Sequence, residues 1–70
     1  MVPLTSRELA VLRLLRDGKE MAAAARELGL SEGRVKRIAA SARHKLCASN
    51  STHAASIAIS IGAIEPVETA

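Results

Sequence analysis

Only Gly29 and Leu30 stand between a helix-forming run, "EMAAAARELG" (20–29), and the serine that opens the next one, "SEGRVKRIAASARHKL" (31–46). No other feature restricts the fold so much. Two helices joined by so short a Gly-containing turn form an αα-hairpin or a helix-turn-helix. Alanine is the strongest helix former, so the first partner is helical by propensity as well as by pattern. Gly29 closes it. Ser31 is a good N-cap for the second, and Glu32 complements the dipole of its first turn.

A further helix is expected on each side of this pair. In "LTSRELAVLRLLRDG" (4–18), Thr5 and Glu8 have the spacing of a capping box, and Leu4 can staple against the first turn. Val11, Leu12 and Leu15 recur at helical spacing as a buried stripe, with Leu14 beside it, and Gly18 ends the run. After the polar turn "CASNST" (47–52), "HAASIAISIGAIE" (53–65) is ambiguous. Ile57, Ile59 and Ile61 alternate as in a strand, whereas Ala54, Ala55, Ala58, Ile61 and Ile64 fit a helix. A lone strand has nothing to pair with here, so a helix over 52–64, capped by Thr52, is expected. A helix apolar on more than one side needs a second partner surface.

Composition sets the scale. With 70 residues, no Phe, Tyr or Trp, and much of the apolar content in alanine, the chain can build only one small domain with a thin core. That domain is expected to span residues 1–66, with 67–70 as a flexible tail. The single cysteine cannot make an internal disulfide, no apolar run is long enough for a membrane span, and the N-terminus is not a signal peptide, so a cytoplasmic protein is expected. The net charge of +3 is mildly basic and says little by itself.

The arrangement of the charge says more. On a helical wheel with about 100° per residue, Ile38, Ala39, Ala42 and Leu46 fall within roughly 60° of Val35 and form one apolar face. Arg34, Lys36, Arg37, Ser41 and His44 fall on the other side, with Gly33 and Ala40 among them. Such a helix has a side to pack and a side that offers cations between small residues. An α-helix fits the major groove of B-DNA and reads it chiefly with its N-terminal part. Arg can bond two acceptors of guanine at once, and Lys can reach one acceptor or a phosphate. An ordinary solvated helix carrying surface charge is the plain alternative.

Several motifs occur together in a telling order: "LTSREL.VLRLLRDG", "ARELGLSEGRVK", "KL" at 45–46, "N.T.A" at 50–54, and "IGAI". From Leu4 to Ile64 the chain resembles the LuxR-type (NarL- or GerE-type) helix-turn-helix domain of bacterial transcription regulators. The resemblance implies an all-α, four-helix fold. Its second and third helices would form the DNA-binding unit, and its fourth the usual dimer contact, so that dimers bind two-fold symmetric sites. Val35 and Lys36 match the family's Val-Lys pair, in which the Val can touch a thymine methyl and the Lys a base or phosphate. Arg34 occupies a usual Thr position and Arg37 a variable contact position.

The candidate DNA-binding set is thus Arg34, Val35, Lys36, Arg37, Ser41 and His44, with Ser31 and Lys45 at the two ends of the helix. Ala54, Ile57, Ala58 and Ile61 are the candidate dimer interface. The chain departs from the family pattern at several places. Ile38 replaces a frequent His or Tyr, Ala22 a frequent Lys, Cys47 a usual Gly and Ser51 a frequent Arg. Ala24, Ala39, Ala42 and Ala55 stand where larger aliphatics are common.

Other chemistry is poorly supported. His44, Cys47 and His53 match no zinc spacing, and no metal or cofactor is expected. Glu8 reads as a cap rather than a catalytic acid. Arg7 is expected to pair with a nearby carboxylate rather than touch a phosphate. No nucleophile–base pair, phosphate loop or carboxylate dyad stands out, so an enzyme is not expected. Double-stranded DNA and a second copy of the chain are the expected partners. The alternative is a protein-binding anti-activator that pairs with a full-length regulator through the apolar residues 54–64. Family members commonly carry a receiver or ligand-binding domain ahead of this module, and this chain fits either a stand-alone regulator or a piece of a longer one.

Overall fold

The computed structural model describes residues 3–67 and contains four helices: α1 (Ser6–Arg16), α2 (Met21–Leu28), α3 (Glu32–Lys45) and α4 (Ser51–Ser60). No strand occurs among the described residues. Of the expected tail, Val67 is exposed, and residues 68–70 lie outside the described residues, as do residues 1–2.

Local hydrogen bonding sets where these helices begin. The Thr5 hydroxyl accepts the Glu8 N–H at 3.1 Å, and the Glu8 carboxylate accepts the Thr5 N–H at 2.7 Å, which completes the capping box. The Ser31 hydroxyl accepts the Arg34 N–H at 3.1 Å. Between α2 and α3, Gly29 takes a left-handed φ of 68°, and the Leu30 N–H reaches back to the Ala25 carbonyl at 3.0 Å. That pairing turns the chain within two residues and satisfies carbonyls that the end of α2 would otherwise leave bare.

α1 divides the interior. Its neighbours Val11 and Leu12 are both fully buried, and each feeds a different cluster. Val11 joins Ala24, Ala25, Val35 and Ala39 between α1, α2 and the first half of α3. Leu12 joins Ala42, Ala48, Ala54, Ala58 and Ile64 under the second half of α3 and α4. Leu14, Leu15, Leu4 and Leu9 are half-buried at the edges of these clusters. Alanine at the contacts lets helix backbones come close, so a core of small side chains can still be dense.

α4 corrects the expected helix over 52–64. Its cap is Asn50, not Thr52: the Asn50 side chain accepts the His53 N–H at 2.8 Å. The helix stops at Ser60. Gly62 takes a φ of 77°, the Ala63 N–H bonds the Ala58 carbonyl at 2.8 Å, and Ile64 folds back into the core. Ala54 and Ala58, expected at a dimer face, are fully buried against the chain's own Leu12 and Ala42. A methyl side chain at these positions lets α4 settle on α1 and α3, and it leaves nothing for a partner to touch.

Candidate nucleic-acid interface

α3 offers its polar side to solvent from its first residue. Ser31, Gly33, Arg34, Lys36, Arg37, Ser41 and His44 are all exposed, while Val35, Ala39 and Ala42 on the opposite side are buried. The buried stripe anchors the helix along its length, so the cations project from a rigid support. Lys36 lies 3.7 Å from Glu32, one turn earlier, and both side chains are more than half exposed. A pair so open is worth little and yields readily to a competing anion. Among the described residues, Arg34 and Arg37 have no carboxylate partner.

Val35 does not belong on this surface. It is fully buried in the cluster with Val11 and Ala24. The expectation that it touches a thymine methyl is corrected: its branched side chain locks α3 onto α1 and α2.

Lys45 is also withdrawn from the surface. Its Nζ donates to the Glu8 carboxylate at 2.8 Å and to the Pro3 carbonyl at 3.1 Å. Its side chain is only 29% exposed, and that of Glu8 only 4%. Ser41 is exposed as a residue, yet its hydroxyl donates to the other Glu8 oxygen at 2.7 Å. Glu8 is the buried charged residue among the described residues. Burial pushes its carboxyl up. Hydrogen bonds from Lys45, Ser41 and the Thr5 N–H, together with the Lys45 charge, outweigh that and hold it at about 2. This network ties the end of α3 to the start of α1 and so fixes the tilt of the exposed face.

His44 remains exposed, with its Nε2 3.3 Å from the Arg43 guanidinium. Arg43 also donates to the Ala48 carbonyl at 3.3 Å, which binds it to the turn after α3. His53 Nδ1 accepts the Ser49 N–H at 3.1 Å and serves the cap of α4. Among the described residues no group of acidic, His and Cys side chains could hold a metal ion, and no helix is long and apolar enough to cross a membrane.

One residue at this face was assigned differently from sequence. Arg7 has no carboxylate partner among the described residues, contrary to the expected pairing. It lines an open groove with Arg34, Arg37 and Ser41. A signal was present: the positions three and four residues on are Ala10 and Val11, so no acid stands at helical spacing after it.

The sequence model of one family, described as bacterial regulatory proteins of the luxR family, matches residues 2–58. That span takes in α1, α2, α3 and most of α4. Among curated proteins, none matches the chain.

Proposed function

The chain belongs to the luxR family of bacterial regulatory proteins, DNA-binding regulators of the helix-turn-helix type, and from that premise we propose that α3 is the helix that reads sequence in the major groove. One observation carries this reading. Arg34 and Arg37 are exposed on the side of α3 opposite the buried Val35, Ala39 and Ala42, and neither has a carboxylate partner among the described residues. Arg34, Lys36 and Arg37 face base edges and phosphates. Ser31 and His44 mark the two ends of the contact surface. Val35 and Lys45 act behind it, as the anchor and the brace of the helix.

Two copies of the chain pair through the outer side of α4. Ile61 is 60% exposed and Ile57 half-buried. These isoleucines, not Ala54 and Ala58, form the pairing surface. Two recognition helices held in this way read half-sites roughly one helical turn apart.

An apolar groove lined by Leu4, Leu9, Leu46, Ile57 and Ile61 favours a second reading. Here the same surface takes up another regulator and blocks it, and DNA binding is weak. Selection from a pool of random duplexes at two salt concentrations separates the two. The first reading expects an enriched motif that is lost in Arg34→Ala, Lys36→Ala and Arg37→Ala, with binding that falls steeply as salt rises. No enrichment at low salt, from protein shown to be folded, would overturn it in favour of the second.

A further inference from the structure

The groove between the start of α1 and the exposed side of α3 carries more positive charge than α3 alone supplies. Arg7 contributes from α1, and Arg34 and Arg37 from α3, and all three line the same open space. None has a carboxylate partner among the described residues. Glu8 lines the same groove, but its carboxylate is already matched by the Lys45 ammonium at 2.8 Å and by the Ser41 hydroxyl at 2.7 Å, so the groove keeps a net positive charge. Three guanidinium groups lining one groove without a carboxylate partner give it a positive potential, which favours an anion lodged there.

Gly33, on the rim of the same groove, makes a separate argument. It has an ordinary helical backbone, and a Cβ added there would meet nothing within 4 Å. The packing of the chain therefore does not need its missing side chain. Alanine at that position would favour the helix. The bare backbone leaves space for something outside the chain to approach closely.

We propose that this groove seats a phosphate of the DNA backbone, with Arg7 as a clamp outside the recognition helix and Gly33 as the opening that admits the phosphodiester. The inference rests on the DNA-reading role of α3 given above. It also divides the labour. A phosphate contact fixes register and strength but carries no sequence information, whereas groove contacts from α3 carry it. Arg7 therefore sets affinity and salt dependence without setting sequence preference.

The test is fluorescence anisotropy with two duplexes, the selected motif and a scrambled version, across a range of salt. Circular dichroism accompanies it, to show that every variant is folded. Arg7→Gln is expected to weaken both duplexes by a similar factor, roughly tenfold. Its slope of log K against log salt should become shallower by about 0.9, one phosphate contact. Arg7→Lys should keep the slope and most of the affinity. Gly33→Ala should melt no lower than the parent and bind both duplexes more weakly.

An unchanged slope in Arg7→Gln overturns the clamp, and a loss confined to the selected motif does so too. Unchanged affinity in Gly33→Ala overturns the close approach. If these variants bind normally while Arg34→Ala and Arg37→Ala lose binding, the phosphate site falls and the reading of α3 stands. If the parent binds neither duplex, both fall.

Discussion

The Lys45 ammonium stands 2.8 Å from the Glu8 carboxylate, joining the last turn of α3 to the first turn of α1 across 37 positions of sequence. The same carboxylate completes the cap of α1 and accepts the Ser41 hydroxyl. One side chain thus caps the start of a helix, pairs a charge and braces α3, with its exposed polar face, against α1. Removing the cation as Lys45→Met leaves a buried carboxylate with part of its partners gone. We expect a loss of about 1–3 kcal/mol, read from urea unfolding. At temperatures where the variant stays folded, its salt slope for DNA should match that of the parent. A shallower slope would return Lys45 to the contact surface.

Stability should fall on acidification with a particular sign. The Glu8 carboxyl is held at about 2 in the fold, against an ordinary 4.5. Its contribution is fully present above the ordinary value and is lost as pH drops from there through about 2. The contribution is on the order of 3 kcal/mol at neutral pH. Glu8→Gln should be less stable at neutral pH and show a flatter profile in the acid range. Parallel profiles for the two proteins would mean that Glu8 is not the group that titrates.

Cys47 ends α3 with a φ of 56°, in the left-handed region where the other helices of this chain end on glycine. The Ala48 N–H still reaches the Arg43 carbonyl at 3.0 Å, so the turn forms at the expense of a strained backbone. Cys47→Gly should relieve this and stabilise the domain by about 1 kcal/mol. For a domain of this size, that raises the melting temperature by roughly 4–8 °C. Cys47→Val should lower it. A glycine variant that melts below the parent would show that the thiol makes a compensating contact.

Val35→Ala should behave as a core substitution. The side chain is fully buried, and its removal should cost about 1–3 kcal/mol. The base preference recovered by selection should not change. A shift at a thymine position would mean that the residue reaches DNA after all.

The last turn of α4 and the residue that caps it offer a contrast. Ala58 is fully buried and Ile61 is 60% exposed. Ala58→Leu should overpack the core and cost about 1–3 kcal/mol. Ile61→Asp should leave monomer stability within about 0.5 kcal/mol while reducing self-association seen by sedimentation. If self-association persists unchanged in Ile61→Asp, the copies meet elsewhere.

The sequence by itself determined the features that depend on near neighbours in the chain. The Thr5–Glu8 box, the Ser31 cap and the Gly29 turn are legible because each is closed by a hydrogen bond spanning three to five residues. The polar side of α3 was legible for a similar reason, since a helical period places Arg34, Arg37 and Ser41 together whatever lies around them. The family was legible because such local motifs recur in a fixed order.

Only the tertiary structure decided what each face meets. A wheel puts Val35 on the apolar side but does not say that Val11 and Ala24 close over it. Nothing local shows that Lys45 turns inward, because its partner Glu8 belongs to another helix. Along α4 and its C-cap the apolar residues fall on more than one side, so period alone leaves open which of Ala54, Ala58 and Ile61 points inward. Packing settles this by volume: the methyl groups fit where α4 approaches α1 and α3, and the longer Ile61 is left outside. Burial and charge pairing arise between segments distant in sequence, so they are determined only once those segments have met.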